Sequence, residues 1–435
     1  MKASSLIIVA IAISISSVQG QMLLTQATWG GAGSDVAEGV ASAADGSTYV
    51  AGITDSFTTD QFGNPTPKIF LVKFAPDGSL NWQSIWNGTT IRGLGRPDVA
   101  VSGDGSIYVT GLTADNGNAV LLKFGADGTL LWERSWGGPA SDESLAVATA
   151  SDGSVYIAGT ATSFGPSSSG LFVVKFDPAG NLVWQRISDG AAGNAVAVAP
   201  DGSVYAAGTT PRADQIGNFD IVVLKITTAG TLVWQRTYSA GEVVDPRGRM
   251  AAGSDGSIVM AGAIQTVSHR SADIAALIVK LTSDGVLVFD KQFDGRVSET
   301  ADVVAIAPDD TIYVAGTTTS FGAGNQDAFV LHLPATGKKL LDAVTWGGTG
   351  FETGAGVVVR GGTVMLAATT TTAPPYAFLA ASARLSAPKG TLAVVEGGLA
   401  DVSGVVTDPG AGATTPAGST IFSGNFEAAL VRIAR

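Results

Sequence analysis

The chain contains no cysteine among its 435 residues. It can therefore form no disulfide, hold no metal ion through thiolates and use no thiol nucleophile. Histidine is almost as scarce, since only His269 and His332 occur and they lie far apart in the sequence. Two separated histidines support neither a histidine-based metal cluster nor a catalytic triad. We interpret both as surface or strand-edge residues.

Charge is also sparse, because Asp, Glu, Lys and Arg make up only 14% of the chain and the formal net charge is −12. No stretch concentrates lysine and arginine enough to follow a phosphate backbone, which excludes a nucleic-acid partner. Hydrophobic residues make up 45%, which is ample material for a packed core. The acidic balance by itself indicates solubility and no particular ligand.

Long apolar runs are missing after the N-terminus, where "MKASSLIIVAIAISISSVQGQM" has one lysine, an apolar run from Leu6 to about Ile15 and then small residues. This order is typical of a secretory signal, and the run is short for a membrane span. Val18 and Gly20 suit a cleavage site before Gln21. We expect no transmembrane segment and a secreted, cell-surface or periplasmic protein. The lack of disulfides favours a bacterial source.

A glycine turn of the "DGS" type recurs along the chain. It stands at Gly46, Gly105, Gly153, Gly202 and Gly256, followed by variants at Asp310, Gly362 and Gly410, at intervals of 48 to 59 residues. Units of this length with several strands each are typical of β-propeller blades. Helical repeats would need apolar residues every 3.6 positions, whereas these segments alternate or form short β-branched runs.

The third repeat resolves into four strands, "SLAVATASDG", "SVYIAGTATS", "LFVVKFDPAG" and "NLVWQRISDG". Glycine at the Asp-Gly and Ala-Gly turns accepts the positive φ that short hairpins need. At the chain ends, "NFEAALVRI" from Asn425 matches a third strand with no fourth after it, while "MLLTQATWGG" from Met22 matches the missing fourth. The N-terminal strand should therefore complete the last blade and close the ring, which removes exposed sheet edges.

We therefore predict an all-β propeller of about eight four-stranded blades, with seven blades as the alternative count. Residues 1–20 are the predicted signal peptide, residues 21–435 a single domain, and 21–29 the strand that closes the last blade. The predicted blades cover about 30–86, 87–136, 137–187, 188–238, 239–293, 294–346, 347–397 and 398–435.

The segment "WGGPASDESLAVATASDGSVYIAGTATSFG" followed by "LFVVKFDPAGNLVWQR" resembles the SBBP family of β-propeller repeats, which occur in bacterial exported and cell-surface proteins. The resemblance covers most of Trp29 to Trp346 and weakens afterwards. It implies a propeller outside the cytoplasm. It implies no known activity and therefore no catalytic residue.

All eight tryptophans fall in or at the end of predicted fourth strands, namely Trp29, Trp82, Trp86, Trp132, Trp136, Trp184, Trp234 and Trp346. We interpret them as blade-to-blade packing, with an Arg or Lys stacked between aromatic rings. The lysines Lys73, Lys123, Lys175, Lys225 and Lys280 recur in register and should pair structurally. A rival hypothesis is the tryptophan docking repeat of quinoprotein propellers, which "FDPAGNLVWQR" resembles with a spacing one residue shorter.

A carboxylate recurs where each outer strand passes into the next inner strand. It is Asp35, Asp142, Asp245, Glu299 and Glu352, with Asp401 roughly equivalent. In a closed ring these side chains should gather at one mouth of the axial channel, where carboxylate oxygens suit Ca²⁺. The alternative is that each one caps the amides of its own turn. We predict no other cofactor.

The parts that do not repeat are the better guide to function, because binding residues often stand on loops of a rigid scaffold. The loop between second and third strands varies in length, and Arg247, Arg249 and Arg296 approach the same face, where they could bind an anionic group. We therefore expect a monomeric, non-catalytic binding or surface-scaffold protein with a protein or glycan ligand at the cell surface. The alternative is a polysaccharide lyase or hydrolase that uses the channel-mouth carboxylates.

Overall fold

The computed structural model describes residues 11–14 and 22–371, apart from 89, 91–95, 116, 168, 213–217, 240–243, 246–248, 268–271, 296 and 323–324. Beyond 371 it describes 377–380, 385–386, 391–394, 400–401, 405–407 and 427–434. Every regular element in these ranges is a β-strand, and none of the described residues forms a helix that could cross a membrane.

The described strands form seven sheets, and six of these sheets are built around a run of consecutive strands. The chain starts with β1 (Ile11–Ser14) and β2 (Met22–Trp29), which belong to the seventh. Blade 1 contains β3 (Asp35–Ser42), β4 (Thr48–Thr54), β5 (Lys68–Phe74) and β6 (Leu80–Ile85). Blade 2 contains β7 (Asp98–Val101), β8 (Ile107–Leu112), β9 (Ala119–Phe124) and β10 (Leu130–Gly137). Blade 3 contains β11 (Asp142–Thr149), β12 (Val155–Ala161), β13 (Gly170–Phe176) and β14 (Leu182–Asp189).

The next three sheets repeat this antiparallel order. Blade 4 contains β15 (Ala192–Val198), β16 (Val204–Pro211), β17 (Phe219–Ile226) and β18 (Leu232–Ser239). Blade 5 has an inner strand in two pieces, β19 (Val244–Asp245) and β20 (Met250–Ala252), then β21 (Ile258–Val267), β22 (Ala272–Leu281) and β23 (Leu287–Phe293). Blade 6 contains β24 (Glu299–Ile306), β25 (Ile312–Thr318), β26 (Asp327–Leu333) and β27 (Asp342–Gly347).

The seventh sheet joins the two ends of the chain and closes the ring. It orders β28 (Glu352–Arg360), β29 (Thr363–Thr370), β35 (Glu427–Ala434) and β2, with β1 at its edge. The C-terminal strand thus takes the third place and the N-terminal strand the fourth, as the sequence predicts. The inner strands touch one another in a complete circle, because β28 contacts both β24 and β3.

The prediction of eight blades is wrong, and so is the assignment of residues 398–435 to an eighth blade. After β29 the chain adds a fifth strand to the outer edges of blades 6, 5, 4, 3 and 2, in that order. These strands are β30 (Ala377–Ala380), β31 (Leu385–Ser386), β32 (Thr391–Val394), β33 (Ala400–Asp401) and β34 (Val405–Thr407). Asp401 pairs with Arg186 on the outer edge of blade 3 and starts no inner strand.

Lysine and tryptophan side chains connect each blade to the next. In blades 1 to 4 a third-strand lysine and a fourth-strand indole N–H donate to the same backbone carbonyl in the outer hairpin turn of the following blade. The donors and acceptors are Lys73 and Trp82 with Ala126, Lys123 and Trp132 with Pro178, Lys175 and Trp184 with Thr228, and Lys225 and Trp234 with Ser283, at 2.9 to 3.3 Å. We call this arrangement the carbonyl clamp.

The turn glycine fits under the tryptophan of the preceding blade. Gly180 has a φ of 82°, and a Cβ added there would lie 3.1 Å from the ring of Trp132. Gly230 stands in the same relation to Trp184, whose ring also carries the Arg186 guanidinium at 5.8 Å from its centroid. The blade-to-blade interpretation of the tryptophans is therefore confirmed for these residues.

Replacing Trp184 by alanine should lower the free energy of unfolding by about 3 to 5 kcal/mol, because it leaves a cavity between blades 3 and 4. Chemical denaturation measures the change. Val183→Ala on the same strand is the matched control, since Val183 is 52% exposed and should cost little. Equal unfolding midpoints for the Trp184 variant and the unchanged protein would contradict the packing role.

Candidate binding site in the axial cavity

Five inner strands carry a β-bulge at the same position in the blade. A bulge inserts one extra residue and turns its side chain away from the regular alternation. The extra residues are Glu38, Leu145, Asn194, Asp302 and Ala355, and all five line one cavity of about 560 Å³ on the ring axis.

Every blade contributes at least one polar side chain to this cavity. In ring order these are Glu38, Arg96, Glu143, Asn194, Arg249, Asp302 and Thr353. Gln326, which directly precedes β26, also lines the cavity and places it toward the end of the ring where the inner strands begin. The scaffold repeats from blade to blade, but this lining does not.

Arg249 crosses the axis and links four blades. Its guanidinium forms an ion pair with Asp98 of blade 2 and donates to the Glu38 carbonyl of blade 1 at 2.6 Å. Its backbone N–H donates to the Asp302 carbonyl of blade 6 at 3.0 Å. Burial and the nearby Arg96 lower the pKa of Arg249 to about 9, so the side chain stays charged at neutral pH.

The partner of Arg249 is itself held by neighbouring strands. Asp98 is buried and accepts the backbone N–H of Val147, from the inner strand of blade 3, at 3.0 Å. A second ion pair joins Arg96 and Glu38 at 2.9 Å across the boundary of blades 1 and 2. Both cations of the cavity therefore have a carboxylate partner.

Asp302 has no ion pair of this kind among the described residues. Its carboxylate accepts hydroxyl hydrogen bonds from Thr300 at 3.2 Å and, more weakly, from Thr317 at 3.5 Å. Protein surrounds it except on the cavity side, and this desolvation raises the pKa of Asp302 to about 6, with Arg96 partly opposing the shift. The ionised form of Asp302 therefore lowers the stability of the folded chain. Groups with a pKa shifted in this way are typical of functional sites.

The four recurrent carboxylates whose side chains the structure describes do not form one metal-binding cluster at the channel mouth. Each described one accepts the backbone N–H four residues before it, as in Asp35 with Gly31 at 2.7 Å and Asp142 with Gly138 at 2.7 Å. Glu299 and Glu352 do the same with Gly295 and Gly348, at 2.6 and 2.9 Å.

These four carboxylates are fully buried, and each also takes a Ser or Thr hydroxyl, from Ser56 and Thr54, Ser163, Thr318 and Thr370 respectively. Desolvation raises the pKa of Asp35 and of Glu299. Within the part of the chain that the structure describes, no three acidic or histidine side chains lie close enough to hold a metal ion. The carboxylates cap the crossings between blades, and the expected calcium mouth is not formed by them.

The predicted arginine group is only partly described. Arg247, Arg296 and the side chain of Asp245 lie outside the described residues. Arg249, directly before β20, lines the axial cavity, and its donors are engaged by Asp98 and two backbone carbonyls. His332 is buried and stacks on Tyr313 at 4.2 Å between ring centroids.

Sequence reasoning missed Glu38, Arg96, Asp98, Glu143, Asn194 and Asp302. A signal was present, because Glu38 and Asp302 each stand three residues after a capping carboxylate, within otherwise small and apolar inner strands. An isolated charge in such a strand indicates a special environment. The bulge that turns the side chain to the axis leaves no separate mark in the sequence.

No family profile and no curated protein matches this chain. Among solved structures it is similar to the polysaccharide lyase Uly1, with 10% identity, a TM-score of 0.49 and coverage of 83% of this chain and 90% of the other. An ulvan lyase of family PL25 has 9% identity, a TM-score of 0.43 and coverage of 78% and 93%. A Synechocystis apocarotenoid oxygenase mutant has 12% identity, a TM-score of 0.39 and coverage of 86% and 95%. These values are too low to support an inference about activity.

Replacing Asp302 by asparagine should stabilise the empty protein at pH 7.5 by about 3 kcal/mol, because about two pKa units of unfavourable ionisation are removed. The folded pKa is raised above the unfolded value, so the gain should shrink as the pH falls from 6 and vanish below about 4. Urea unfolding at pH 4 and 7.5 measures this, with the exposed Asp284→Asn as control. A variant that is less stable at pH 7.5 would contradict the buried-charge account.

Proposed function

We propose that the chain is an exported, non-catalytic β-propeller binding protein whose ligand occupies the axial cavity. The observation that carries this proposal is the lining itself, which follows no regular repeat around the ring and includes five charged side chains. A scaffold needs the same contacts in each repeat, whereas recognition of one ligand needs an asymmetric set of polar groups. The cavity volume of about 560 Å³ is in the range that holds small molecules or one sugar unit.

The cost of the lining supports the same proposal. A propeller could fill its axis with small apolar residues, as Ala355 and Gly354 do in the seventh sheet. Retaining ionisable groups such as Asp302 instead reduces stability, and natural proteins accept such costs mainly where function needs them.

A loop at the same end of the ring extends the proposed binding surface. The segment between β4 and β5 begins next to Asp35, since Asp35 pairs with Thr54 at the end of β4. Within it, Asp60 accepts the backbone N–H groups of Phe62 and Asn64, both at 2.8 Å, which orders the turn. Phe62 is 79% exposed at its tip. An exposed aromatic ring on an ordered loop suits contact with a glycan or protein ligand.

Export is part of the proposal and rests on the N-terminal signal pattern and on the SBBP resemblance. Cleavage after Gly20 would remove β1 and leave β2 as the outermost strand of the seventh sheet. We propose that the mature chain acts as a monomer. A purely structural surface-layer role would instead appear as self-assembly on a sizing column.

A carbohydrate-active enzyme is the second candidate, and Asp302 is the observation that favours it. A carboxyl group with a pKa near 6 can donate a proton at neutral pH, and Glu38 and Glu143 line the same cavity as carboxylates of the kind that act as bases. The two candidates differ in one observable result, because an enzyme would convert its bound carbohydrate into a product.

The mature protein, with Gln21 as its expected N-terminus by mass spectrometry, should bind a component of a glycan, protein and small-molecule screen. Asn194→Ala should weaken that binding at least tenfold, because Asn194 lines the cavity, while the exposed Asp284→Asn should not. Calorimetry measures both. An affinity that is unchanged in Asn194→Ala would contradict a binding site in the cavity. Release of a product that Asp302→Asn abolishes would show that the chain is an enzyme and not a binding protein.

A further inference from the structure

Acidic groups outnumber basic groups among the described residues of the axial cavity. Three carboxylates line it, Glu38, Glu143 and Asp302, against two guanidinium groups, Arg96 and Arg249. Arg249 also pairs with Asp98, which lies outside the lining. Glu38 and Asp98 each face an arginine, whereas Asp302 faces none among the described residues.

Both cations of the cavity already have partners. One amino group of Arg249 faces Asp98 and the other donates to the Glu38 and Pro97 carbonyls. Arg96 faces Glu38 through its Nε at 2.9 Å. Binding a ligand carboxylate or phosphate at Arg249 would require its pairs to break in a desolvated position, which is costly.

Asp302, by contrast, is an acceptor that needs a partner. Its two hydroxyl contacts are at 3.2 and 3.5 Å, both longer than a charge-assisted bond to a carboxylate. The Glu143 carboxylate, the Asn194 amide and the Thr353 hydroxyl belong to the same polar lining. Carboxylate, amide and hydroxyl oxygens together suit an N–H donor with a positive charge.

We infer that the cavity binds a small organic cation whose protonated amine pairs with Asp302, such as an amino sugar or an aliphatic amine. This inference rests on the proposed binding function and specifies its ligand class. Hydroxyl groups on the ligand would meet Asn194 and the threonines of the lining. A ligand ammonium would replace the missing ion pair and remove the cost of the buried charge.

The binding should depend on pH through Asp302. The charged groups that share the cavity with it are Glu38 from β3, Arg96 before β7, Glu143 from β11 and Arg249 before β20. Desolvation raises the pKa of Asp302 to about 6, so the carboxylate is mostly ionised at pH 7.5 and mostly protonated at pH 5. If only the ionised form binds, affinity should fall by about tenfold over that interval.

Matched probe pairs test the ligand class by calorimetry at pH 7.5. Glucosamine is compared with N-acetylglucosamine and glucose, and putrescine with 1,4-butanediol; glucuronate and calcium chloride probe an anion and an inorganic cation. We expect one amine to bind, its uncharged analogue to bind at least tenfold more weakly, and the affinity to drop about tenfold at pH 5. Asp302→Asn should abolish amine binding, while Asp284→Asn should leave it unchanged.

The outcomes separate this inference from the proposed function. Preferred binding of glucose or glucuronate, weakened by Asn194→Ala, would keep the cavity as the binding site and overturn the cationic class. Calcium binding that is lost in Asp302→Asn would also overturn it in favour of an inorganic ion. No binding of any probe, together with no partner in the broad screen, would overturn both. Amine binding that survives Asp302→Asn, in a folded variant, would refute the assigned pairing.

Discussion

The carbonyl clamp between blades is the interaction on which the rest of the structure depends. In the outer turns of blades 2 to 5 one backbone oxygen takes both a lysine and an indole donor from the preceding blade, as Thr228 does from Lys175 and Trp184. The lysine lies over a tyrosine of its own blade, with Nζ of Lys175 at 5.3 Å from the centroid of Tyr156. These contacts fix each of blades 1 to 4 to the next one, so that the stability of a blade depends on its neighbour.

This dependence explains why the chain ends must share a sheet. The sequence predicts that arrangement, since "MLLTQATWGG" and "NFEAALVRI" each match a defined strand of the repeat. At the seam, the indole N–H of Trp29 on β2 donates to the Gln83 side chain of blade 1 at 2.6 Å. Trp136 makes the same contact with Gln185 further along the ring, so the seam is built like an ordinary blade boundary.

What could be predicted from the sequence is what repeats. Gly180 and Trp184 have counterparts in several blades, and the tight turn and the interblade contact follow from local chemistry. The short outer strands could not be predicted, because pairs such as Leu385–Ser386 are too short to show alternation and pair with strands about a hundred residues away. The sequence shows the positions of the capping carboxylates. It does not show where each side chain points, because each one accepts the backbone N–H of the glycine four residues before it.

The cavity is the least predictable part for a related reason. In a regular strand the side chains alternate between the two faces of the sheet. The extra residue at the bulge interrupts this alternation and turns Glu38 and Asp302 toward the axis. Asp302 then differs from the repeated carboxylates in its hydrogen bonds. The repeated carboxylates accept backbone amides, whereas Asp302 accepts two hydroxyl groups. The repeated positions build the ring, and the positions that differ give it a site.

Closure of the ring by the N-terminal strand can be tested by comparing the stability of a chain that begins at Gln21 with that of a chain that begins at Gly30. The two differ by β2, whose Trp29 spans the seam. We expect the shorter chain to lose at least as much unfolding free energy as a buried tryptophan contributes, about 3 kcal/mol or more, and to aggregate more readily. Equal denaturation midpoints for the two chains would contradict it.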